Sequence, residues 1–345
     1  MKSLSNATIC TKVSNVVQVH DGSPIHCEQT KESFKSPVSG TALAILQTRE
    51  VESKTNETER FMNLLERLAL QKYYSKNMHT GDVCVVKSAM RTKHPRTEQE
   101  LASYFLQKLI MGNYEARYVR VQSENESYET MNNNENSNYD DFFKHDDTLS
   151  RRKGLATNTQ THIHPMDLQM TIYHCGDNFV RQYIYTKLSF CQFALPLLVP
   201  NPRSSEIEFP LWAFRQINKN WKCRDTSTNT LQTKSYEIVN ADTPLVSFIR
   251  FGESPTSKSQ ILNSLLSKQK HGVFFNRNCK GSSRNGLLME GVTEVAWYCP
   301  SGRDDDVFND CITFTNLHGD ARRHRKQVQF LHEISSYQCD TDVRL

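Results

Sequence analysis

The sequence predicts an α plus α/β multidomain chain. Helical N-terminal and middle regions precede an α/β domain of the P-loop NTPase kind. Three observations predict it. Apolar residues recur at helical spacing in two stretches before residue 122, a strongly apolar block fills 164–222, and from Pro244 onward short β-prone runs alternate with helix-patterned ones. The third is the most specific. Leu245-Val-Ser-Phe-Ile-Arg-Phe251 runs into Gly252, and Glu253-Ser254-Pro255-Thr256-Ser257-Lys258-Ser259 follows. The spacing is that of G-x-x-x-x-G-K-[ST], with Ser257 at the second glycine.

The 345 residues allow two or three domains. A hydrophobic fraction of 37% is low for a fully compact protein and predicts some length without fixed structure. With 42 basic and 38 acidic residues the formal charge is +4, too near balance for a nucleic-acid footprint, so no nucleic-acid partner is expected. The longest apolar run, Phe193–Val199, is too short to span a bilayer and contains Pro196. The N-terminus lacks an apolar export core and has Lys2 where myristoylation needs glycine. The ten cysteines include no C-x-x-C pair and read as reduced thiols of an intracellular protein.

Residues 1–55 are polar and weakly periodic, and are expected to be largely disordered. Residues 56–122 read as a small helical module. Its first helix, Glu57–Gln71, carries Phe61, Leu64, Leu65, Leu68 and Leu70 on one stripe, with Thr55 or Asn56 as cap. Its second, Thr97–Gly112, carries Leu101, Tyr104, Phe105, Leu106, Leu109 and Ile110, and stops at Gly112-Asn113. Residues 123–160 are acidic and Asn-rich, a linker that cannot bury enough apolar surface to order itself.

Residues 161–235 read as a helical middle domain. His164-Pro165-Met166-Asp167 opens a helix, and Pro196, Pro200 and Pro202 end helical structure. Residues 208–214 suit a short strand or turn, and 223–235 a loop. The α/β domain spans 236–336, with strands Leu245–Phe251, Thr293–Cys299 and Cys311–Thr315, helices Ser259–Lys270 and Ala321–Ser335, and a long loop near Asn276–Gly286. Residues 337–345 form a divergent tail.

A strand, loop and helix of this kind hold polyphosphate. Gly252 takes the backbone angles of a tight wrap. The N–H groups of Glu253, Ser254, Thr256 and Ser257 point at phosphate, with the positive end of the helix behind them. Lys258 reaches the β- and γ-oxygens, and Ser259 Oγ binds Mg²⁺. Ser257 puts a side chain where backbone usually approaches closely, and Pro255 lacks an N–H. The alternative is an ordinary strand-to-helix turn that contains Lys-Ser.

A second motif lies at the end of a later apolar strand. Asn316-Leu-His-Gly319 stands where switch GTPases carry D-x-x-G. Gly319 would give its N–H to the γ-phosphate. Asn316 lacks a carboxylate's charge, so its role toward Mg²⁺ is indirect and weak. Asp320 is either a catalytic, water-positioning residue or a helix N-cap. In 276–285, Arg277, Lys280 and Arg284 are candidates for phosphate contact, and Ser282 or Ser283 for Mg²⁺. Solvated loop residues are the plainer reading.

Other candidates are weaker. His162-x-His164 has no Cys or acidic partner at metal-ligand spacing and reads as a linker edge. His174-Cys175 lies in an apolar stretch and reads as core. Arg322-Arg-His-Arg-Lys326 reads as a solvated helix face.

Several long strings resemble one family, the interferon-induced very large GTPases and the up-regulator of cell proliferation. They are His164-Pro-Met-Asp-Leu-Gln-Met170, Arg181-Gln-Tyr-Ile-Tyr-Thr-Lys-Leu-Ser-Phe-Cys-Gln-Phe-Ala-Leu-Pro-Leu-Leu-Val-Pro-Asn-Pro202, Glu208-Phe-Pro-Leu-Trp-Ala-Phe-Arg215, Ser257-Lys-Ser-Gln-Ile-Leu-Asn-Ser-Leu-Leu-Ser267, Leu287-Leu-Met-Glu-Gly-Val-Thr-Glu-Val-Ala-Trp-Tyr-Cys-Pro300 and Phe314-Thr-Asn-Leu-His-Gly-Asp320. About half of the chain resembles the family strongly, and Phe61–Tyr74 and Leu101–Arg117 more loosely. The resemblance implies a cytosolic or nuclear GTP-binding protein with a Ras/dynamin-like or septin-like G domain, GTP held with Mg²⁺, and scope for oligomerisation. It carries phosphate binding to Gly252, Lys258 and Ser259 and a switch role to Gly319.

The chain departs from the family pattern after Ser336. No N-K-x-D or T-K-x-D follows Gly319, so 236–336 is expected to be the N-terminal part of a truncated G domain. The expected function is GTP binding with slow hydrolysis. The alternative is a non-catalytic scaffold on a degenerate G domain, suggested by Ser257, Asn316 and the early stop.

Overall fold

The computed structural model describes residues 57–84, 94–121, 162–204, 206–224, 230–252, 257–267, 271–275 and 286–340. The expectations for 1–55, for the 123–160 linker, for Glu253, Ser254 and Thr256, and for loop 276–285 lie outside these residues.

Helix α1 (57–67) buries Phe61, Leu64 and Leu65, as its spacing predicts. It ends earlier than expected because Ala69 turns left-handed, at φ 55°. A single turn, α2 (Thr80–Val83), precedes α3 (Leu101–Ile110). Gly112, at φ 69°, terminates α3, and a Cβ there would lie 2.6 Å from the Phe190 ring. In α4 (Pro165–Cys175) Pro165 occupies the first turn and the His164 side chain accepts the Met166 N–H at 3.0 Å. Helix α5 (Asn178–Phe190) is capped by Asp177, which accepts the Val180 N–H at 2.8 Å.

Beyond Phe190 the middle region is mostly strand, with one short 3-10 turn at Leu211–Gln216, which corrects the expectation of a helical domain over 161–235. The prolines that end the helix lead into β1 (Leu195–Pro200), followed by β2 (Ile207–Glu208). The expected loop 223–235 overlaps the end of β3 (Asn218–Arg224) and most of β4 (Leu231–Glu237), two strands paired over seven positions. The remaining elements are β5 (Leu245–Ile249), α6 (Lys258–Ser267), β6 (Thr293–Tyr298), β7 (Ile312–Leu317), α7 (Arg325–Ile334) and β8 (Tyr337–Asp340). Strand β8 replaces the start of the expected divergent tail.

Six strands form one mixed sheet in the order β2-β1-β6-β7-β5-β8. Strands β7 and β8 run parallel to β5 on either side of it, while β6 is antiparallel to β7 and to β1. The β1–β6 register slips between Pro196 and Leu198, where proline has no N–H to give the ladder. Alternation along β5 sorts its residues by face. Val246 and Phe248 pack with Leu262 of α6 and Phe314 of β7. Ile249 joins Leu317, Val295 and Leu331 of α7 in a core that also takes in Phe61, Leu101, Leu168 and Leu195. The N-terminal helices and the sheet therefore share one apolar core. For the site, the main consequence is that β5 and β7 end side by side.

Candidate functional site

Phe248 of β5 is in register with Asn316 of β7. Just past these positions the chain turns left-handed on both strands, at Gly252 (φ 87°) and Gly319 (φ 88°). The chain leaves β5 through α6 and reaches β7 on one side. After β7 it passes through α7 to β8 on the other side. A reversal of this kind opens a crevice beyond the carboxyl ends of the strands.

Lys258 is the first residue of α6 and is only 6% exposed. Its ammonium donates to the Leu317 carbonyl and, at 3.4 Å, to that of Gly319. The Ser257 carbonyl accepts the N–H groups of Gln260 and Ile261 at 3.1 Å, which starts the helix. Ser259 is also buried, and its Oγ accepts from Asn316 Nδ2 at 3.0 Å. Among the described residues, Asn316 Oδ1 is buried without a hydrogen-bond partner. The fold thus gathers Ser257, Lys258, Ser259, Asn316 and Gly319, which are separated by about sixty residues of sequence.

Gly252 and Asp320 join the same cluster. The Gly252 N–H donates to Asp320 Oδ1 at 3.1 Å, and the Arg322 N–H donates to the same oxygen at 3.0 Å. Arg322 also closes on the carboxylate with Nε at 3.0 Å and Nη2 at 2.6 Å from Oδ2. The Arg322 guanidinium holds this carboxyl well below the usual carboxylate range. Asp320 therefore caps the short turn Ala321–Arg323, the cap reading of the sequence, and clips the Gly252 loop to the Gly319 turn. Space at Gly319 is tight. A Cβ there would lie 2.1 Å from Glu290 Oε2 and 2.9 Å from His324 Nε2. Glu253, Ser254, Thr256, Arg277, Lys280, Ser282, Ser283 and Arg284 are outside the described residues.

A carboxylate network next to the turn is not visible in the sequence motifs. Glu294 of β6 is fully buried. Its Oε1 accepts from Arg117 Nη2 at 3.1 Å, and its Oε2 accepts the Phe275 N–H at 3.2 Å and lies 2.7 Å from His318 Nε2. Arg117 is sandwiched between the rings of Phe193 and Phe275, at 4.4 and 3.9 Å. The readable signal is a glutamate inside an apolar strand, because a buried charge needs a partner. Which partner it finds depends on the fold.

Asp167, at the start of α4, makes a second buried contact. It accepts the N–H groups of Leu287 and Leu288 at 2.8 Å and of Met289 at 3.0 Å. Burial pushes its carboxyl up to about 6, against the pull of those three donors.

The weaker candidates separate from the site. His164 is buried as a cap while His162 is exposed, so they are not a ligand pair, and His164 is no linker edge. Burial lowers His174 to about 3 and pushes Cys175 up to about 12, which leaves both as core groups. Arg323, Arg325 and Lys326 face solvent. Among the described residues, no group of three or more His, Cys, Asp or Glu is arranged to hold a metal, and no helix is long and apolar enough to cross a membrane.

Comparison with known proteins gives this cluster a family. The family model of the up-regulator of cell proliferation-like domain matches residues 163–339, more than half of the chain, and that of the N-terminal domain of the same kind matches 61–138. The chain belongs to the family of the interferon-induced very large GTPases and the up-regulator of cell proliferation. Interferon-induced very large GTPase 1 is 47% identical over 288 residues in Mus musculus and 46% over 286 in Homo sapiens. Up-regulator of cell proliferation from Bos taurus is 30% identical over 291 residues, 81% of this chain and 31% of the relative. The two very large GTPase alignments each cover 80% of this chain but only 12% of the relative. No solved structure matches the chain. The family match continues through residue 339 and so takes in most of β8, a further correction to the divergent tail.

Proposed function

We propose that this chain binds the triphosphate of GTP in the crevice beyond the carboxyl ends of β5 and β7. One observation carries the reading. The Lys258 ammonium, at the start of the helix that follows β5, is buried against the carbonyls of Leu317, the last residue of β7, and of Gly319 just beyond it, with Ser259 and Asn316 hydrogen-bonded beside it. The strand order β6-β7-β5-β8, with only β6 antiparallel, is the one expected of a Ras-like nucleotide fold and supports the reading. The name of two similar relatives, interferon-induced very large GTPase 1, supports guanine as the base.

Phosphate oxygens would replace the two carbonyls at Lys258, so that the ammonium would face a charged acceptor instead of neutral ones. The N–H groups of Glu253, Ser254, Thr256 and Ser257 and the positive end of α6 would cradle the β-phosphate. The Gly319 N–H would meet the γ-phosphate.

A hard cation fits the oxygens present. Ser259 Oγ and the orphaned Asn316 Oδ1 are oxygen donors of the kind Mg²⁺ takes, the second of them indirectly. The bound cation would neutralise charge on the β- and γ-phosphates. Both side-chain donors are neutral, so Lys258 carries the protein's own positive charge.

A second reading, a non-catalytic scaffold on a degenerate G domain, has an observation in its favour. Asp320 is fully engaged by Gly252 and Arg322, and Asn316 stands where a carboxylate would be expected. Under the first reading these features make hydrolysis slow. Thermal melting with and without GTP and Mg²⁺ separates the two. Ligand at a hundredfold excess over Kd adds about 2.7 kcal/mol, and Lys258→Ala should remove that gain. Identical melting of wild type in both conditions would leave the scaffold. Single-turnover hydrolysis then separates an enzyme from a binder.

A further inference from the structure

We infer that Arg117, Glu294 and His318 are positioning residues, through which the N-terminal helical region sets the Gly319 turn for the γ-phosphate. The inference rests on the phosphate-site reading above and extends it to side chains to which the motifs assign no role.

His318 lies between the two residues whose carbonyls hold Lys258, Leu317 and Gly319. Its backbone N–H, its carbonyl and its Nε2 are each tied down. Its N–H donates to the Val292 carbonyl at 2.9 Å and its carbonyl accepts the Gly291 N–H at 3.1 Å. Its Nε2 lies 2.7 Å from Glu294 Oε2 and donates to that carboxylate. The two backbone bonds pin the peptide units that carry the Leu317 carbonyl and the Gly319 N–H, and the imidazole–Glu294 contact is a third, side-chain anchor on the same residue. Glu294 sets the imidazole.

Arg117 in turn sets Glu294. It belongs to the short turn Tyr114–Tyr118 that follows α3, in the N-terminal helical region. Its side chain crosses to the sheet and donates to Glu294 Oε1. The same guanidinium donates to the carbonyls of Val273, of Gly272 at 3.3 Å and of Ala194 at 3.1 Å. Arg117 is 2% exposed and Glu294 is fully buried. A buried ion pair of this kind is weak evidence for stability, because the cost of desolvating both charges offsets their attraction. What it does provide is a single arrangement. Any movement of the helical region that withdraws Arg117 leaves the Glu294 carboxylate with the Phe275 N–H and the His318 imidazole, and the His318 contact must readjust. The helices and the phosphate turn are thus two ends of one buried polar chain.

The test is nucleotide discrimination by the full chain. Fluorescent mant-GDP and mant-GTPγS, each with Mg²⁺, are titrated against wild type, Lys258→Ala, Arg117→Lys, Glu294→Gln, His318→Gln and His318→Ala. Lys258→Ala should lose both nucleotides. Arg117→Lys and Glu294→Gln should weaken GTPγS relative to GDP by about fivefold or more, the lower end of ordinary coupling between sites. His318→Ala should do the same, and His318→Gln, which keeps an N–H donor, should recover part of the loss. A merely structural role would weaken both nucleotides together. If wild type and Lys258→Ala behave as expected but every folded variant keeps the wild-type ratio, this inference is overturned and the phosphate site stands. If wild type binds neither nucleotide, both fall. Should the Arg117 and Glu294 variants fail to fold, the two His318 variants decide the matter alone.

Discussion

Asp167 gives the structure a stability that depends on pH in an unusual direction. Its carboxylate is 2% exposed and takes three consecutive backbone N–H groups from 287–289. Desolvation, the largest influence, raises it from an ordinary value of 3.8 to about 6. Between those values the folded state keeps a proton that the unfolded chain has released. Stability from this group is then fully present below pH 3.8 and falls as pH rises toward 6. At about 1.4 kcal/mol per pH unit, the gap of roughly two units is worth about 3 kcal/mol. Asp167→Asn isolates the effect, since asparagine fills the same space and does not titrate. Urea unfolding of both proteins from about pH 4 to about pH 7 gives the difference in stability. Wild type minus variant should fall by about 2.4 kcal/mol across that range, the rest having been lost below about pH 4. A flat difference would refute the argument. A difference that rises with pH would show that the three N–H donors outweigh desolvation and hold the carboxyl below its ordinary value.

Two further expectations follow from local geometry. Gly319→Ala must accept φ 88° and a Cβ 2.1 Å from Glu290 Oε2, so it should lose about 1–3 kcal/mol in urea unfolding; an unchanged midpoint would contradict the tightness of the turn. Cys299 and Cys311 have their sulfurs 4.0 Å apart, and the Cys299 thiol is held down by Cys311 and then by Lys219, while Cys311 is pushed up by Cys299 and by burial. Iodoacetamide should therefore label Cys299 first in the folded protein; equal rates, or Cys311 first, would count against that asymmetry.

The parts of the fold with period-specific patterning were legible in the sequence. Helix α3 and the run β5, α6, β6, β7 show apolar spacing that only one secondary structure explains, and each was found within a few residues. The hairpin was not legible, because β4 is exposed along almost its whole length and carries no alternation. It is held by pairing with β3, whose Trp221 and Cys223 reach into a small core with Cys311. Strand β1 was read only as a broken helix, since prolines mark where a helix stops and not which strand will pair with the segment. At the site, Gly252, Lys258, Ser259 and Gly319 were named from motif spacing. Arg117, Glu294 and Asp167 were not. The Arg117–Glu294 and Asp167–Leu287 contacts join residues more than a hundred positions apart, and a glutamate inside an apolar strand signals that a partner is needed without naming it.

The central claim is that the segment from Gly252 to Ser259 and the Gly319 turn close together on a triphosphate. Amide hydrogen exchange tests it most directly. Adding GTP with Mg²⁺ should slow exchange in peptides covering 251–260 and 316–321, leave the hairpin of β3 and β4 unchanged, and have no effect on Lys258→Ala. Unaltered exchange in both peptides at saturating nucleotide, or the same protection in Lys258→Ala, would contradict the claim.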